Sequence, residues 1–337
     1  MKMLGRYERT TALSNKDAGS CRWCFATREG KEYFIKEFLD PKYPEKDTES
    51  SPERRAKKLK KCEVFEQKKT EVYHTINEHS DGNAVRIVDF FRVGAKYYMV
   101  MPRITPIKMT VEDIAKLPVH VKRRLCTVIA HSVAGIHEGK YVHADIKHSN
   151  VMLVNTSFNK LTAKLIDYDA GFFETDPPTH PEEISGDQVY FSPEAWIAIL
   201  GEEAQLTCKM DVFALGVLFH QYLTGNLPGF DEEKYSCAGE AVAKGEKLEV
   251  SWDMPADLHR IIVRMLTANP AERPTSQEVH EVFGDTVKWK KEMPMPEVKA
   301  EPASEELAPV TVFVPEMEPV FVGDAPARDG WWDMGDL

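Results

Sequence analysis

The sequence predicts an α+β chain built from a strand-rich first part, a larger helical second part and a tail without regular structure. Short apolar runs bounded by turn residues fill the chain up to about Met101. Beyond that residue apolar side chains recur at helical spacing, and after about Lys291 neither period is visible. We therefore expect two folded parts, residues 1–102 and 103–288, followed by a disordered tail, residues 289–337.

The first part is expected to contain a β-hairpin and a long helix. The hairpin strands are Trp23–Thr27 and Glu32–Phe38, and Gly30 between them tolerates the positive φ of a tight turn. The helix lies within Glu49–His79, a charged segment without glycine in which Pro52 suits the first turn. Two more strands complete this part, Ala84–Val93 and Lys96–Met101.

The second part is expected to be mainly helical. Its first long helix ends near Gly139 and carries an apolar stripe made of Leu125, Val128, Ile129, Val133 and Ile136. Four further helices are predicted at Ser192–Leu200, Lys209–Leu223, Ala256–Leu266 and Ser276–Phe283. Three short strands are predicted at Tyr141-Val142, Val151–Val154 and Lys164–Ile166.

The formal net charge of −11 is concentrated in the tail. From Glu292 onward the chain has eleven acidic and two basic residues, so the preceding part carries a net charge of only −2. A nearly neutral folded part argues against general nucleic-acid binding. The tail also holds seven of the 21 prolines, as disordered segments do. Near its end, Trp331 and Trp332 either form a docking peptide for a partner or pack loosely on the folded body.

The cysteine pattern and the hydropathy indicate the cellular compartment in which the protein is expected. Six cysteines at uneven spacing do not form the framework of a disulfide-rich secreted protein. The first residues lack the apolar core of a signal peptide, and no apolar run approaches a membrane span. We therefore expect a cytoplasmic protein without a membrane partner. Cys21 and Cys24 form a single CxxC pair, and without a second pair a zinc site is not expected.

The most informative segment for chemistry is the loop around Asp145. Asp145, between two short predicted strands, is a candidate to accept a proton from an incoming hydroxyl. Lys147 is a candidate to neutralise a transferring phosphoryl group, and Asn150 to bind a metal ion on the same side. A later predicted strand ends in Asp167. These hard oxygen ligands suit Mg²⁺, which also takes phosphate oxygens.

This combination resembles the catalytic loop (HRDxKxxN) and the metal-binding motif (DFG) of the protein kinase family, from about Tyr7 to Phe283. Five further features agree in order and spacing. They are the strand lysine Lys36, the strand Tyr97–Met101 before the hinge, the APE-like Ser192-Pro193-Glu194, Asp211 on the helix beneath the catalytic loop, and Arg273 as the partner of Glu194. The resemblance implies a bilobed fold with a small β-rich N-lobe and a larger helical C-lobe. The variant motifs suggest a bacterial member.

The resemblance also implies roles for individual residues. Asp145 would be the catalytic base or hydroxyl-orienting group, and Lys147 would steady the γ-phosphate. Mg²⁺ would be held by Asn150 and Asp167, and ATP would be positioned by Lys36.

The same resemblance places the ATP cleft. The adenine would lie near Met101 and hydrogen-bond to main chain around Arg103 and Ile104. Gly19, Ser20 and the amides that follow would cover the phosphates, although this segment keeps one of the usual three glycines.

A helix glutamate is expected to pair with Lys36. Glu71 is the preferred candidate because it precedes Val72 and leads toward the next predicted strand. Glu66, about one and a half helical turns earlier, is the second choice.

Three residues depart from the family pattern, while Tyr168 keeps the aromatic plug of DFG. Ala144 replaces the arginine that normally meets a phosphorylated activation loop, so loop phosphorylation is not expected to be the main switch. Asp169 replaces the glycine of DFG, either as a ligand for a further cation or, in the interpretation we favour, as a restraint on the loop. Asp187 stands where a threonine is usual, and a carboxylate there is expected to pair with Lys147 and to disfavour acidic residues beside the target hydroxyl.

The resemblance implies a serine/threonine protein kinase, since Lys147 is the serine/threonine form of the loop. It would use ATP and Mg²⁺ and act on protein substrates. The alternative is a pseudokinase scaffold that binds partners through its acidic tail, which retention of all the catalytic positions opposes. A third interpretation, a small-molecule kinase of the aminoglycoside or choline type, is opposed by the APE-like segment and Arg273.

Overall fold

The computed structural model describes residues 2–16, 21–45, 51–79, 84–156 and 160–285. The first part is a six-stranded antiparallel sheet with one long helix, which begins at Pro52 as predicted. The strands are β1 (Met3–Leu4), β2 (Tyr7–Arg9), β3 (Cys21–Arg28), β4 (Lys31–Phe38), β5 (Asp89–Val93) and β6 (Lys96–Pro102), and the helix is α1 (Pro52–His79). The strand order is β1-β2-β3-β4-β6-β5.

The predicted hairpin is confirmed, and its turn fixes the register of the site. β3 and β4 pair over their full length, and both turn residues, Glu29 and Gly30, have positive φ (52° and 74°). Two left-handed residues give the turn whose twist matches that of paired strands. Since directly paired residues share a face, Trp23 lies beside Lys36, and Phe34 lies on the same face two residues earlier.

The segment between α1 and β5 differs from the prediction. Only the second half of Ala84–Val93 is a strand, since the pairing with β6 begins at Asp89. In the preceding segment Ala84, Val85 and Ile87 are buried. There the side chain of Asn77 accepts a hydrogen bond from the backbone amide of Ile87 and donates one to its carbonyl, which replaces sheet pairing.

The second part is helical, with two small antiparallel strand pairs. Its helices are α2 (Val111–Ala115), α3 (Val119–Glu138), α4 (Pro193–Ile199), α5 (Lys209–Thr224), α6 (Ala238–Ala243), α7 (Ala256–Met265) and α8 (Ser276–Gly284). The strand pairs are β7 (Tyr141–Val142) with β10 (Phe172–Phe173) and β8 (Val151–Asn155) with β9 (Leu161–Leu165). No helix in the described ranges is both long and apolar enough to cross a bilayer.

The predicted long helices of this part are confirmed, those from α4 onward to within one residue at each end. The prediction missed α2, α6 and β10, which are too short for a period to show. It also placed β9 too late, because this strand begins at Leu161 and ends before Ile166. α5 is buried on nearly every side, which explains why its sequence is apolar throughout rather than amphipathic.

Candidate active site

The loop that carries Asp145 is held by the buried side chain of Asp211, in the first turn of α5. The carboxylate accepts hydrogen bonds from the amide of His143 at 2.7 Å and from the amide of Ala144 at 2.9 Å. Ala144 has a φ of 62°, a left-handed conformation that costs a non-glycine residue about 1–2 kcal/mol. The predicted contact of Asp211 with this loop is confirmed, and it stabilises the strained residue next to Asp145.

His143 joins the same loop to the end of β9. Its Nε2 lies 3.1 Å from the carbonyl oxygen of Ile166 and its Nδ1 lies 3.3 Å from the amide nitrogen of Asp145. Because a carbonyl only accepts, the ring hydrogen is assigned to Nε2 and Nδ1 accepts from the amide. The ring also packs on the buried ring of Tyr168, at 5.0 Å between centroids. The predicted aromatic plug is therefore present.

Donors from three directions fix the carboxylate of Asp145. Its Oδ2 receives the ammonium of Lys147 at 2.9 Å and the side-chain amide of Asn150 at 2.8 Å. Its Oδ1 accepts the backbone amide of Asp187 at 3.0 Å. The side chain is 14% exposed, so it is reachable from solvent at one edge. The structure thus brings together the three loop residues that the sequence singled out.

The predicted ion pair between Asp187 and Lys147 is not formed. The Asp187 carboxylate instead accepts a hydrogen bond from the amide of Val189 at 3.1 Å and caps the helical turn Gln188–Tyr190. An aspartate side chain reaches such a nearby amide at little entropic cost, which explains the preference. The contribution of Asp187 to the site is therefore made by its backbone.

Gly186 allows that backbone contact and was missed in the sequence. It has a φ of 139°, and a Cβ at this position would lie 2.7 Å from the carbonyl oxygen of Ala144 and 2.9 Å from the ring of Phe191. The segment that carries Asp187 can therefore approach the loop only with glycine here. The signal in the sequence was a glycine directly before Asp187, the position at which the family usually has a threonine.

Asn150 and Asp167 are neighbours because the amide of Ile166 donates to the carbonyl of Asn150 at 3.0 Å. The Nδ2 of Asn150 donates to both the backbone and the side chain of Asp145, which leaves its Oδ1 as the atom available to a cation. One amide oxygen and one carboxylate fit Mg²⁺ when phosphate oxygens and water complete its shell. In the described part of the chain no cluster of three or more His, Cys, Asp or Glu would hold a metal by itself.

Lys36 lies on β4 with its ammonium between two carboxylates. Its Nζ is 2.9 Å from Oδ1 of Asp167 and 2.5 Å from Oδ2 of Asp169. Burial lowers the pKa of Lys36, but these two carboxylates more than offset burial and raise the pKa above its usual value. The lysine is therefore a permanent cation directly beside Asp167.

The expectation that Glu71 pairs with Lys36 is wrong, and so is the second choice, Glu66. Glu71 is exposed on the outer side of α1. Glu66 accepts a hydrogen bond from the hydroxyl of Tyr97 within the N-lobe.

The helix residue that faces the site is Lys69, whose Nζ lies 2.6 Å from Oδ1 of Asp169. Positions 69 and 71 differ by about 200° around a helix, so the two side chains point in opposite directions. The sequence held the signal, because Lys69 is in phase with the buried residues Cys62, Tyr73 and Ile76 of α1.

A cavity of about 380 Å³ adjoins these groups. Its walls include Ile107, Met109, Asp113, Ser149, Met152 and Ile166. No binding role was predicted for these residues. Ser149 and Ile166 directly precede Asn150 and Asp167, so the cavity lies next to the candidate metal ligands. A largely apolar wall with a few polar groups is typical of a small-molecule site.

The hinge after β6 differs from the expectation at one residue. The amide of Arg103 donates to the carbonyl of Glu32 at 3.0 Å, and its guanidinium pairs with the Glu32 carboxylate at 2.8 Å and lies over the ring of Phe25. The Arg103 amide is therefore not available to a nucleotide base. Among the described residues the amide of Ile104 has no hydrogen-bond partner, and Met101 is half-buried on β6.

Four residues of the sequence-based site lie outside the described residues. They are Gly19 and Ser20, expected to cover the phosphates, and Trp331 and Trp332 of the tail.

The segment between Asp167 and α4 is anchored at its far end by a buried ion pair. Arg273 and Glu194 form two parallel hydrogen bonds of 2.6 and 2.9 Å. The remaining guanidinium hydrogens are donated to the carbonyls of Thr267, Ala268 and Lys209, so all five donors are satisfied. The predicted pairing of Arg273 with Glu194 is confirmed.

Comparison with known proteins identifies the class of protein that this fold and site define. The model of the protein kinase domain matches residues 18–283, and the chain belongs to that family. The chain is 27% identical over 209 residues to the ovarian-specific serine/threonine-protein kinase Lok of Drosophila melanogaster, a match that covers 61% of this chain and 40% of Lok. It is 27% identical over 195 residues to the serine/threonine-protein kinase PrkC of Bacillus subtilis, which covers 57% of this chain and 29% of PrkC. Both relatives are named serine/threonine kinases, and the matched region spans less than half of either one.

A solved structure shows the same fold. The kinase PK-1 of Cydia pomonella Granulovirus has a TM-score of 0.57 to this chain at 17% sequence identity, and the match covers 82% of this chain and 95% of PK-1. The predicted bilobed protein-kinase fold is therefore confirmed.

Proposed function

We propose that the protein transfers the γ-phosphoryl group of ATP to serine or threonine hydroxyls of protein substrates. The observation that carries the proposal is the fixed orientation of the Asp145 carboxylate by Lys147, Asn150 and the amide of Asp187. Phosphoryl transfer needs little covalent help, so groups that are already held in position supply most of the acceleration. A scaffold without activity has no physical need for this arrangement.

In the proposed reaction Asp145 accepts a hydrogen bond from the substrate hydroxyl and takes its proton as the hydroxyl oxygen bonds to the γ-phosphorus. The bond from that phosphorus to the β,γ-bridging oxygen breaks, and ADP leaves. Lys147, which already contacts Asp145 at 2.9 Å, would also neutralise charge on the transferring group. Lys36 would bind the α- and β-phosphates, starting from the one ammonium hydrogen that its two carboxylate partners leave free.

Asn150 and Asp167 would hold Mg²⁺ through their side-chain oxygens. When bound, the metal neutralises charge on the β- and γ-phosphates. Asn150 is oriented for this by its two hydrogen bonds to Asp145, so one residue couples the candidate metal site to the base.

The adenine is proposed to enter the cavity lined by Met152 and Ile166. Its hydrogen-bonding partner is proposed to be the amide of Ile104, which has no hydrogen-bond partner among the described residues. The rings of Trp23 and Phe34, which stack at 5.7 Å, lie on the Lys36 face of the sheet and would form an aromatic wall for the base.

The test is transfer of labelled γ-phosphate from ATP with Mg²⁺ to the protein itself and to a generic basic protein. Asp145→Asn and Lys36→Met are expected to abolish phosphoserine and phosphothreonine formation. Asp231→Asn is the matched control, because the Asp231 side chain pairs with the exposed Lys234 and accepts a hydrogen bond from the amide of Glu233, both within its own loop. No transfer by the wild type with any divalent metal, together with no nucleotide binding, would reject the proposal.

The remaining expectations extend this proposal. We propose that residues 1–102 and 103–288 form the two kinase lobes and that the protein works in the cytoplasm. The expected acidic, proline-rich tail, residues 289–337, lies outside the described residues. We propose that Trp331 and Trp332 dock a partner protein. Alanine at both positions should abolish capture of that partner while transfer to a generic substrate is unchanged.

A further inference from the structure

Asp169 connects two lysines that come from different parts of the N-lobe. Its Oδ2 lies 2.5 Å from Nζ of Lys36 on β4, and its Oδ1 lies 2.6 Å from Nζ of Lys69 on α1. Each oxygen of the carboxylate therefore has its own ammonium partner. One side chain thus ties the sheet, the long helix and the segment after Asp167 together.

The aromatic rings around Lys69 favour a positively charged side chain at this position. Its ammonium lies 5.2 Å from the ring centre of Phe38, 5.9 Å from that of Tyr73 and 6.0 Å from that of Phe65. Ring faces attract cations and disfavour carboxylates, and the Lys69 side chain is only 15% exposed. The helix residue that faces the site is therefore selected to be basic, although an acidic residue was expected there.

The electrostatics of Asp169 agree with this geometry. The negative carboxylate lies between the two positive ammonium groups, so both contacts are attractive. With one ammonium group at each oxygen, Asp169 has fewer acceptor sites to offer a further cation. The interpretation of Asp169 as an extra metal ligand is therefore disfavoured.

We propose that Asp169, fastened to α1 by Lys69, is the positioning residue that orients Lys36 for ATP in place of a helix glutamate. Lys36 now shares its ammonium between Asp167 and Asp169. When Asp167 turns to the metal ion, Asp169 remains as its acidic partner and keeps the ammonium aimed at the phosphates. The acidic group has moved from the helix to the segment after Asp167, and the helix supplies the bridging cation.

This inference rests on the proposed function, and it is tested by a double-mutant cycle on the full chain. Asp169→Asn and Lys69→Met keep the side-chain volumes and remove one charge each. Each is expected to lower kcat/KM for ATP about tenfold. The double variant is expected to have the kcat/KM of the less active single variant within about twofold, because both changes break the same contact between Asp169 and Lys69. Lys68→Met is the matched control, since Lys68 is the adjacent lysine of α1 and pairs with the exposed Asp176.

Hydrogen exchange of α1 gives a readout that does not depend on catalysis. Residues near Lys69 should exchange faster in Asp169→Asn and Lys69→Met, and equally fast in the double variant, while Lys68→Met exchanges like the wild type. The inference would be overturned if the wild type is active and Asp169→Asn changes neither kcat/KM nor hydrogen exchange. It would also be overturned if the fold-losses in kcat/KM of the two single variants multiply in the double variant. An inactive wild type would instead reject the proposed function, and the exchange data would still decide whether Asp169 fastens α1.

Discussion

The backbone amide of Ala144 donates a hydrogen bond of 2.9 Å to Asp211, a buried side chain of α5. The same carboxylate holds the amide of His143 and lies 2.9 Å from Nε2 of His137. The loop that bears Asp145 therefore owes its strained conformation to a helix that begins more than sixty residues later in the chain.

Replacing Asp211 is expected to destabilise the protein and to abolish transfer. Asp211→Ala leaves the buried amide of His143 and the half-buried amide of Ala144 without an acceptor, which costs about 1–3 kcal/mol for a buried group. Asp211→Asn keeps one carbonyl acceptor and should cost less. Denaturant unfolding measures the change, with Asp231→Asn as the exposed control, and an Asp211→Ala variant as stable as the wild type would contradict the prediction.

Gly186→Ala is expected to reduce transfer far more than it reduces stability. The new Cβ meets the carbonyl of Ala144, so the segment that carries Asp187 must move away from Asp145, and such a displacement costs up to about 100-fold in rate. Gly245→Ala is the control, because Gly245 has a φ of 90° but faces open space. Steady-state kinetics of both variants decide the matter. Equal losses in the two would mean that backbone strain alone is responsible.

Phosphatase treatment is expected to leave the activity unchanged. Ala144 has no positive charge with which to bind a phosphate group. The segment after Asp167 is held in place by hydrogen bonds that need no phosphorylated residue. The amide of Glu174 donates to the carbonyl of Lys140 at 2.9 Å, and its carboxylate accepts the amide of Cys208 at 2.8 Å. Transfer by the treated and untreated protein should agree within about twofold, since no phosphate-dependent contact is lost. A tenfold fall would show that a phosphorylated residue is required.

Breaking the buried pair of Arg273 and Glu194 is expected to be costly. Glu194→Ala leaves the guanidinium buried without its carboxylate partner, which costs about 3–5 kcal/mol. The double change Glu194→Ala with Arg273→Met removes the uncompensated charge and should recover part of this loss. Chemical unfolding of the three variants tests the prediction. The prediction would be refuted if the losses in free energy of unfolding caused by Glu194→Ala and by Arg273→Met simply added in the double variant.

Glu37 is expected to make stability pH-dependent in the acid range. Burial raises the pKa of Glu37, but hydrogen bonds from Lys96, Arg22 and Tyr98 outweigh burial and lower the pKa below its usual 4.5. A carboxyl group whose pKa is lower in the folded protein than in the unfolded chain stabilises the fold at pH values above the unfolded-chain pKa. That stabilisation is lost as the pH falls through the pKa of the folded protein. The gap in melting temperature between wild type and Glu37→Gln should therefore be widest near neutral pH and should narrow below 4.5. A gap that is constant with pH would contradict this.

Residues inside short motifs could be predicted because their partners are close in sequence. Asp145, Lys147 and Asn150 lie within one loop, and the structure brings them into contact as expected. The partner of Lys36 could not be chosen in this way. A helix rich in acidic and basic residues offers several candidates. The phase of its buried residues marks Lys69 as facing the site, but it does not show that the partner of Lys36 is Asp169, which lies outside the helix.

The sequence by itself determined the family, the order of the long elements and the identity of the loop residues, because periodicity and motif spacing are local properties of the chain. Only the tertiary structure decided that Asp169 rather than Glu71 meets Lys36, and that Lys69 bridges them. The physical reason is that an ion pair depends on distance and burial in three dimensions. Charge in the sequence supplies the candidates, and packing of α1 on the sheet selects among them.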